Sequence, residues 1–110
     1  MPQQKPKTLE PSYAAPRPTT GDLLATAAES NRVSIDFLKV DLQTALTFSE
    51  LALQSPDGIK RNRNRRNARR GYDTILRLID KVSLSDSDAR SLGGQLLRLK
   101  SDLEELGETF

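Results

Sequence analysis

Three stretches of this sequence repeat apolar residues at intervals of three and four positions, which places those side chains on one face of an α-helix. No other feature constrains the fold as strongly, because each such helix must bury its apolar face against another element. The stretches cover about 34–54, 56–82 and 85–106, and the short connections between them require successive helices to fold back antiparallel. The sequence therefore predicts an all-α fold, an antiparallel three-helix bundle over residues 34–107.

The first of these helices has a wide apolar arc. Ser34 is its predicted N-cap, with Asp36 in the first turn, where a negative charge complements the helix dipole. The main stripe consists of Ile35, Leu38, Leu42, Ala45, Leu46, Ser49 and Leu53. Four further apolar residues project from beside it, namely Phe37, Val40, Phe48 and Leu51. An arc this wide requires two neighbouring helices, and any part that they leave uncovered predicts self-association of the chain.

The second helix follows a compact restart signal. Ser55 is the predicted cap, Pro56 suits the first helical position, and Asp57 complements the positive end of the helix. The predicted buried stripe is Ala68, Tyr72, Ile75, Leu76, Ile79 and Val82. Because Tyr72 falls within this stripe, a core role is favoured over a catalytic one.

The third helix begins at a pattern typical of a capping box. Ser85 is the predicted N-cap, Asp88 occupies the third helical position, and Gly107 is suited to end the helix. The apolar seam is formed by Ala89, Leu92, Leu96, Leu99, Leu103 and Leu106. A seam of only about two and a half heptads favours packing within the chain over a coiled-coil dimer.

Two adjacent glycines interrupt the third helix. Within a helix, Gly93 and Gly94 should each cost about 1 kcal/mol relative to Ala. Close packing against a neighbouring helix, near Gly71, is the predicted compensation, and a flexible kink is the alternative.

The N-terminal region has the composition of a solvated tail. Residues 1–21 contain five prolines, with Gln, Lys and Thr between them, and hold few apolar side chains to offset the entropy of ordering. We predict a disordered arm over residues 1–21. A lead-in segment over 22–33 follows, in which the pattern from Asp22 to Ala28 is compatible with a short helix.

The absence of two residue types limits the chemistry of the chain. It contains no Cys and no His, which removes disulfides, thiolate nucleophiles, the commonest general base and the commonest zinc ligand. Two carboxylate pairs, Asp36 with Asp41 and Asp86 with Asp88, are better explained as helix-start and solvent-facing charges. No Asp-rich loop has calcium-site spacing. We therefore predict a non-enzymatic protein with no catalytic, cofactor-binding or metal-binding residues.

Hydropathy gives no sign of a membrane segment. No apolar run approaches the roughly 18 residues that a spanning helix needs. The opening residues, MPQQKPK, lack the apolar core of a secretory signal. The expected location is the cytoplasm, without membrane contact.

Charge is distributed unevenly along the chain. Residues 55–83 hold nine basic and three acidic residues, a net charge of +6, whereas residues 23–54 carry −2 and residues 84–110 carry −3. The cations that share the outward face of the second helix are Arg63, Arg66, Arg70 and Arg77. We predict that these four residues, the arginine ridge, form a continuous positive surface opposite the buried stripe.

One interpretation of the ridge is a solvated face whose flanks are neutralised within the molecule. In an antiparallel bundle the end of the third helix lies beside the start of the second, near Arg61, Arg65 and Arg69. The acids expected there are Asp102, Glu104, Glu105 and Glu108, with Glu50 approaching from the end of the first helix. Exposed pairs of this kind contribute only about 0–1 kcal/mol each.

Two other interpretations make the ridge a binding surface. Arginine pairs with the carboxylates of an acidic protein segment, or with phosphates of nucleic acid in a sequence-independent manner. The one aromatic residue nearby, Tyr72, is predicted to point inward, and no nucleic-acid-binding motif is present, which favours the protein partner. The sequence thus predicts an interaction module, monomeric or weakly homo-oligomeric. Nonspecific nucleic-acid binding and a self-associating structural role are the alternatives.

Part of the second helix carries a family resemblance. At Ala68-x-x-x-Tyr72-x-x-Ile75-Leu76 it resembles the second helix of a tetratricopeptide repeat, although Ile75 stands where that family prefers Ala and Asp80 stands where it has Pro. The whole chain also resembles short bacterial helical proteins with a proline-rich tail and an Arg-rich middle helix. Its three-helix shape is similar to microtubule-interacting and trafficking domains. The repeat and trafficking-domain resemblances imply peptide binding in a groove between helices and no catalytic residues.

Overall fold

Three helices pack around one core in the computed structural model, which describes residues 20–110 and their side chains from Thr26 onward. The helices are α1 (Thr20–Gln54), α2 (Gly58–Ile79) and α3 (Asp86–Glu105). Each helix contacts the other two. The segment that follows α3 reaches Arg65 in the first half of α2, so α2 and α3 are antiparallel. The predicted all-α three-helix bundle is confirmed. Residues 1–19, most of the predicted disordered arm, lie outside the described residues.

The first helix begins earlier than the sequence pattern predicts. Ser34 lies inside α1 and is not its N-cap, because residues 22–33 contain good helix formers such as Ala27 and Ala28 and neither Gly nor Pro. Side chains 26–30 of this extension are exposed. At Asn31 the extension meets the bundle, since the Asn31 amide donates to the carbonyl of Ser83 at 3.0 Å and accepts from its N–H at 2.8 Å.

The core lies between all three helices. Its buried members are Leu38, Leu42, Ala45, Leu46, Ala68, Tyr72, Ile75, Leu92, Leu99 and Leu103. Tyr72 is among them, as its place in the apolar stripe predicts. One buried polar side chain, Ser49, accompanies them, with its hydroxyl 2.8 Å from both the Leu46 carbonyl and an Asp102 carboxylate oxygen. α1 therefore meets both neighbours, as the wide apolar arc requires.

The start of α2 differs from the prediction. Asp57, and not Ser55, is the N-cap, and its carboxylate accepts from the N–H groups of Ile59 at 2.8 Å and Lys60 at 3.3 Å. Pro56 precedes the helix and does not occupy its first position. The reason is electrostatic as well as geometric, because a carboxylate at the cap both satisfies free N–H groups and complements the helix dipole.

The ends of α3 follow the predicted pattern. The Ser85 hydroxyl accepts from the N–H of Asp88 at 3.0 Å. After the helix, the N–H of Glu108 donates to the carbonyl of Leu103 at 2.9 Å, and the N–H of Gly107 donates to Glu104 at 3.0 Å. These two bonds define a Schellman motif, which places its central residue in the left-handed region. Gly107 has φ of +98° there and turns the chain back towards α2.

The predicted packing of the α3 glycines is wrong. A Cβ added to Gly93 or Gly94 would meet no atom within 4 Å, because the buried side chain at this level belongs to Leu92. The close approach occurs between α1 and α2 instead, where a Cβ on Gly71 would lie 2.8 Å from the Cβ of Ala45.

Candidate functional site

The arginine ridge occupies one face of α2. All four of its side chains are exposed, while Ala68, Tyr72 and Ile75 on the opposite side of the helix are buried. Arg63, Arg70 and Arg77 are seven positions apart, which separates them by about 10.5 Å along the helix axis. The structure thus brings together the four residues that the helical spacing groups.

The ridge arginines have no carboxylate partners. Within residues 26–110, none of the ion pairs includes any of the four. The guanidinium of Arg77 donates only to the hydroxyl of Thr74, at 3.3 Å. Among the described side chains, no carboxylate is therefore positioned to neutralise these four charges.

The neighbouring arginines, Arg65 and Arg69, do form ion pairs with carboxylates. Glu108, which follows α3, forms ion pairs with Arg65 and with Arg69, the latter at 2.9 Å. Arg69 also pairs with Asp73 at 3.1 Å and donates to the carbonyl of Thr109 at 2.8 Å. Desolvation lowers the pKa of Arg69, but the hydrogen bonds and charges of Asp73 and Glu108 outweigh it and raise that pKa above its ordinary value.

Most of the other acids predicted beside the start of α2 have different partners or none. Asp102 accepts a hydrogen bond from Ser49, and Glu50 pairs with Arg98 on α3. Glu104 and Glu105 are exposed and take part in no ion pair among the described side chains. Neutralisation of the α2 flank by the end of α3 therefore depends on one acid, Glu108.

A segment that sequence reasoning missed lies beside this cluster. The ring of Phe110 packs edge-on against Tyr72, with centroids 5.1 Å apart and an interplanar angle of 68°. The guanidinium carbon of Arg69 lies 4.3 Å from the Phe110 centroid, and Lys100 approaches the same ring to 5.5 Å. The signal in the sequence is the presence of Glu108 and Phe110 shortly after Gly107, since a Schellman motif reverses the chain at that point.

Two shallow depressions border the ridge. One, on α2 itself, is lined by Arg66, Arg69, Arg70, Asp73, Thr74 and Arg77, with Glu108 at its edge. The other lies in the groove between α1 and α2, where Phe37 and Phe48 form apolar walls and Asp41 is the acid. Arg70 lines both, so the ridge separates a charged depression from a partly apolar one.

One of the acidic pairs that the sequence suggests, Asp86 with Asp88, lies at the start of α3. Asp88 forms an ion pair with Lys39 at 3.0 Å. The hydrogen bond from Lys39 holds the pKa of Asp88 below its ordinary value; desolvation opposes this, and the charge of Lys39 and the Ser85 hydroxyl add to it. Among the described side chains, no three acids gather as metal ligands would. In the same part of the chain, no helix has an apolar stretch long enough to cross a bilayer.

Comparisons with protein-family models, with curated proteins and with solved structures give no match for this chain. The resemblance of α2 to a tetratricopeptide-repeat helix therefore stays a prediction. The features that indicate a function are the arginine ridge and the surfaces around it.

Proposed function

We propose that this protein is a non-enzymatic interaction module that binds an acidic protein segment through Arg63, Arg66, Arg70 and Arg77. The observation that supports this is the contrast along α2. Among the described side chains, these four exposed guanidinium groups share one face without a carboxylate partner, while the adjacent Arg65 and Arg69 are held by Glu108. A ligand that brings its own carboxylates would complete the unpaired set.

The chemistry of arginine selects carboxylates that are presented in a regular pattern. A guanidinium group binds a carboxylate through two parallel hydrogen bonds, which fixes orientation as well as charge. Because Arg63, Arg70 and Arg77 are about 10.5 Å apart along the axis, they match acids at every seventh position of a helix.

The surroundings of the ridge favour a narrow acidic segment over a nucleic acid. Asp41 borders it on the α1 side and Asp73 on the α3 side. A duplex presents phosphates across a wide surface, and some of these would approach the two carboxylates. A single acidic segment that follows Arg63 to Arg77 avoids them.

The test measures binding of a fluorescently labelled oligoglutamate peptide by anisotropy at low and physiological salt. Two exposed ion pairs contribute about 1 kcal/mol each at most, so Arg66→Gln with Arg70→Gln should weaken binding about tenfold. The matched control is Arg32→Gln with Arg90→Gln. Both of these residues are exposed and outside the ion pairs, so the change in net charge is identical.

The two double variants separate site binding from net charge. Equal losses in both would show that the peptide responds only to the total charge, and the proposal would fail. A labelled DNA duplex is measured in parallel. If the duplex binds more tightly than the peptide at physiological salt, and loses affinity only with the ridge variant, the ridge is a nucleic-acid surface instead.

A further inference from the structure

α1 carries a second seam, made of four apolar residues and two threonines, on the side that faces away from the core. Its members alternate four and three positions apart, and we name them the outer seam: Val33, Phe37, Val40, Thr44, Thr47 and Leu51. Their side chains are exposed: Val33 to 63%, Phe37 to 56%, Val40 to 66% and Leu51 to 47%. α2 borders this face at Val33 and Phe37 but leaves more than half of each side chain exposed.

This spacing is the one by which two helices pack side by side. Residues at alternating intervals of three and four stay on one stripe and insert between the side chains of a facing helix. The opposite side of α1 is fixed by Leu38, Leu42 and Leu46 in the core. The outer seam therefore lies on a helix that is already ordered, so binding through it would cost little backbone conformational entropy.

We propose that the outer seam binds the outer seam of a second copy of this chain, with the two α1 helices antiparallel. The order of intervals, four, three, four, three and four, is the same in both directions, so a reversed copy fits the same stripe. In the symmetric register, Val33 faces Leu51 of the second copy, Phe37 faces its Thr47 and Val40 faces its Thr44.

Side-chain size selects this orientation. The antiparallel register sets the large Phe37 against the small Thr47, and Val40 against Thr44, which lets the two rows interdigitate at the density of a core. A parallel pair would set Phe37 against Phe37 and leave Thr44 against Thr44, with crowding at one level and a gap at another. The helix of another protein would need small residues opposite Phe37 and large ones opposite the threonines. A second copy of this chain provides that arrangement by two-fold symmetry.

The length of the outer seam limits the surface area that the dimer can bury. Eighteen positions of α-helix span about 27 Å, and a helix is about 10–12 Å wide, so the footprint is roughly 300 Å². Standard interfaces bury about 800 Å² on each partner. We therefore expect a weak dimer that forms only at high protein concentration. This dimer does not rest on the arginine ridge, which lies on α2.

The first experiment measures the molar mass of the full chain by sedimentation velocity over a concentration series. Wild type should move from monomer to dimer, and Val40→Glu should stay monomeric. Leu97→Glu is the matched control because Leu97 is an equally exposed apolar residue on α3, outside the seam. Circular dichroism confirms that each variant is folded. A wild type that is monomeric throughout overturns the proposal and leaves the seam to another protein's helix. Equal effects of the two variants overturn it as well.

The second experiment reads the orientation directly. The chain contains no Cys, so Val40→Cys and Thr44→Cys introduce single thiols, and one variant carries a tag that changes its size. On oxidation of a mixture, the antiparallel register should give mainly the disulfide between the two different variants, because their Cβ atoms face each other. Predominant disulfides between identical variants would show a parallel pair and overturn the proposed register.

Discussion

Ala45 and Gly71 bring the backbones of α1 and α2 into close approach, since a Cβ on Gly71 would lie 2.8 Å from the Cβ of Ala45. This distance is shorter than ordinary Cβ contacts, so only glycine fits without movement. The contact forms the floor of the groove between Phe37 and Arg70. It therefore sets how far apart the apolar wall of α1 and the arginine ridge of α2 lie.

Gly71→Ala should destabilise the bundle. The added methyl meets the Cβ of Ala45, which is fixed to the backbone of α1, so the helices must separate. Overpacking of this kind costs about 1–3 kcal/mol, and the gain in helix propensity returns at most about 1 kcal/mol. We expect a net loss of about 1–2 kcal/mol in the free energy of unfolding, measured by urea denaturation. Unchanged stability would show that α1 and α2 can adjust freely.

Gly94→Ala should have the opposite effect. Gly94 is exposed and a Cβ there would meet no atom within 4 Å. The substitution therefore adds only helix propensity and should stabilise the protein by about 0.5–1 kcal/mol in the same urea experiment. A loss of stability would mean that α3 requires the glycine for a bend that these contacts do not reveal.

These two glycines illustrate what the sequence could predict. The apolar spacing identifies the three helices, although α1 begins earlier than it predicts. Local signals identify Ser85 and Gly107 at the ends of α3, because caps depend on nearby residues. Which glycine meets another backbone depends on how the helices rotate against each other, and nothing local records that. The close approach that the sequence predicts for Gly93 and Gly94 therefore occurs between Gly71 and Ala45 instead.

The sequence likewise predicts one part of the candidate site and not the other. A period of 3.6 residues suffices to group the four ridge arginines on one face. The choice of Glu108, and not Glu104, as the acid that reaches Arg65 depends on the reversal at Gly107 and on the docking of Phe110. These are tertiary contacts. The choice of Asp57 over Ser55 as the α2 cap is a close competition between two good capping residues.

Ser49→Ala tests the polar contact in the core. The Ser49 hydroxyl is fully buried and lies 2.8 Å from the Asp102 carboxylate. Without it, the half-buried carboxylate loses a donor, which should cost about 1–2 kcal/mol. Ser101→Ala is the control for the Ser to Ala change in helix propensity, since Ser101 is exposed on α3. Equal unfolding free energies for the two variants would show that water replaces the hydroxyl without loss.

Asp88→Asn should weaken the fold in a pH-dependent way. The pKa of Asp88 is lower in the folded protein than its ordinary value of about 3.9. Its ionised form therefore stabilises the fold above that value, and this contribution is lost as the pH falls through the folded pKa. The urea midpoint of the variant should lie below that of wild type at pH 7, and the two should converge as the pH falls through the folded pKa of Asp88.

Asp86→Asn is the control for that pH series. Asp86 also lies in the first turn of α3 but forms no ion pair among the described residues. It reports the helix-dipole effect alone. If both variants change the urea midpoint equally at pH 7, the pair between Asp88 and Lys39 contributes nothing to stability.

Glu108→Gln should strengthen binding of the oligoglutamate peptide. The substitution removes the carboxylate that pairs with Arg65, so the Arg65 guanidinium beside the ridge can reach a ligand, while Arg69 loses one of its two carboxylate partners and keeps Asp73. We expect roughly a two- to fivefold gain in affinity, in line with up to about 1 kcal/mol for an exposed pair. Glu104→Gln gives the same change in net charge at an exposed acid without an ion pair, and it should have a smaller effect. Equal gains in the two variants, measured by anisotropy at physiological salt, would show that Glu108 does not restrict the ligand surface of α2.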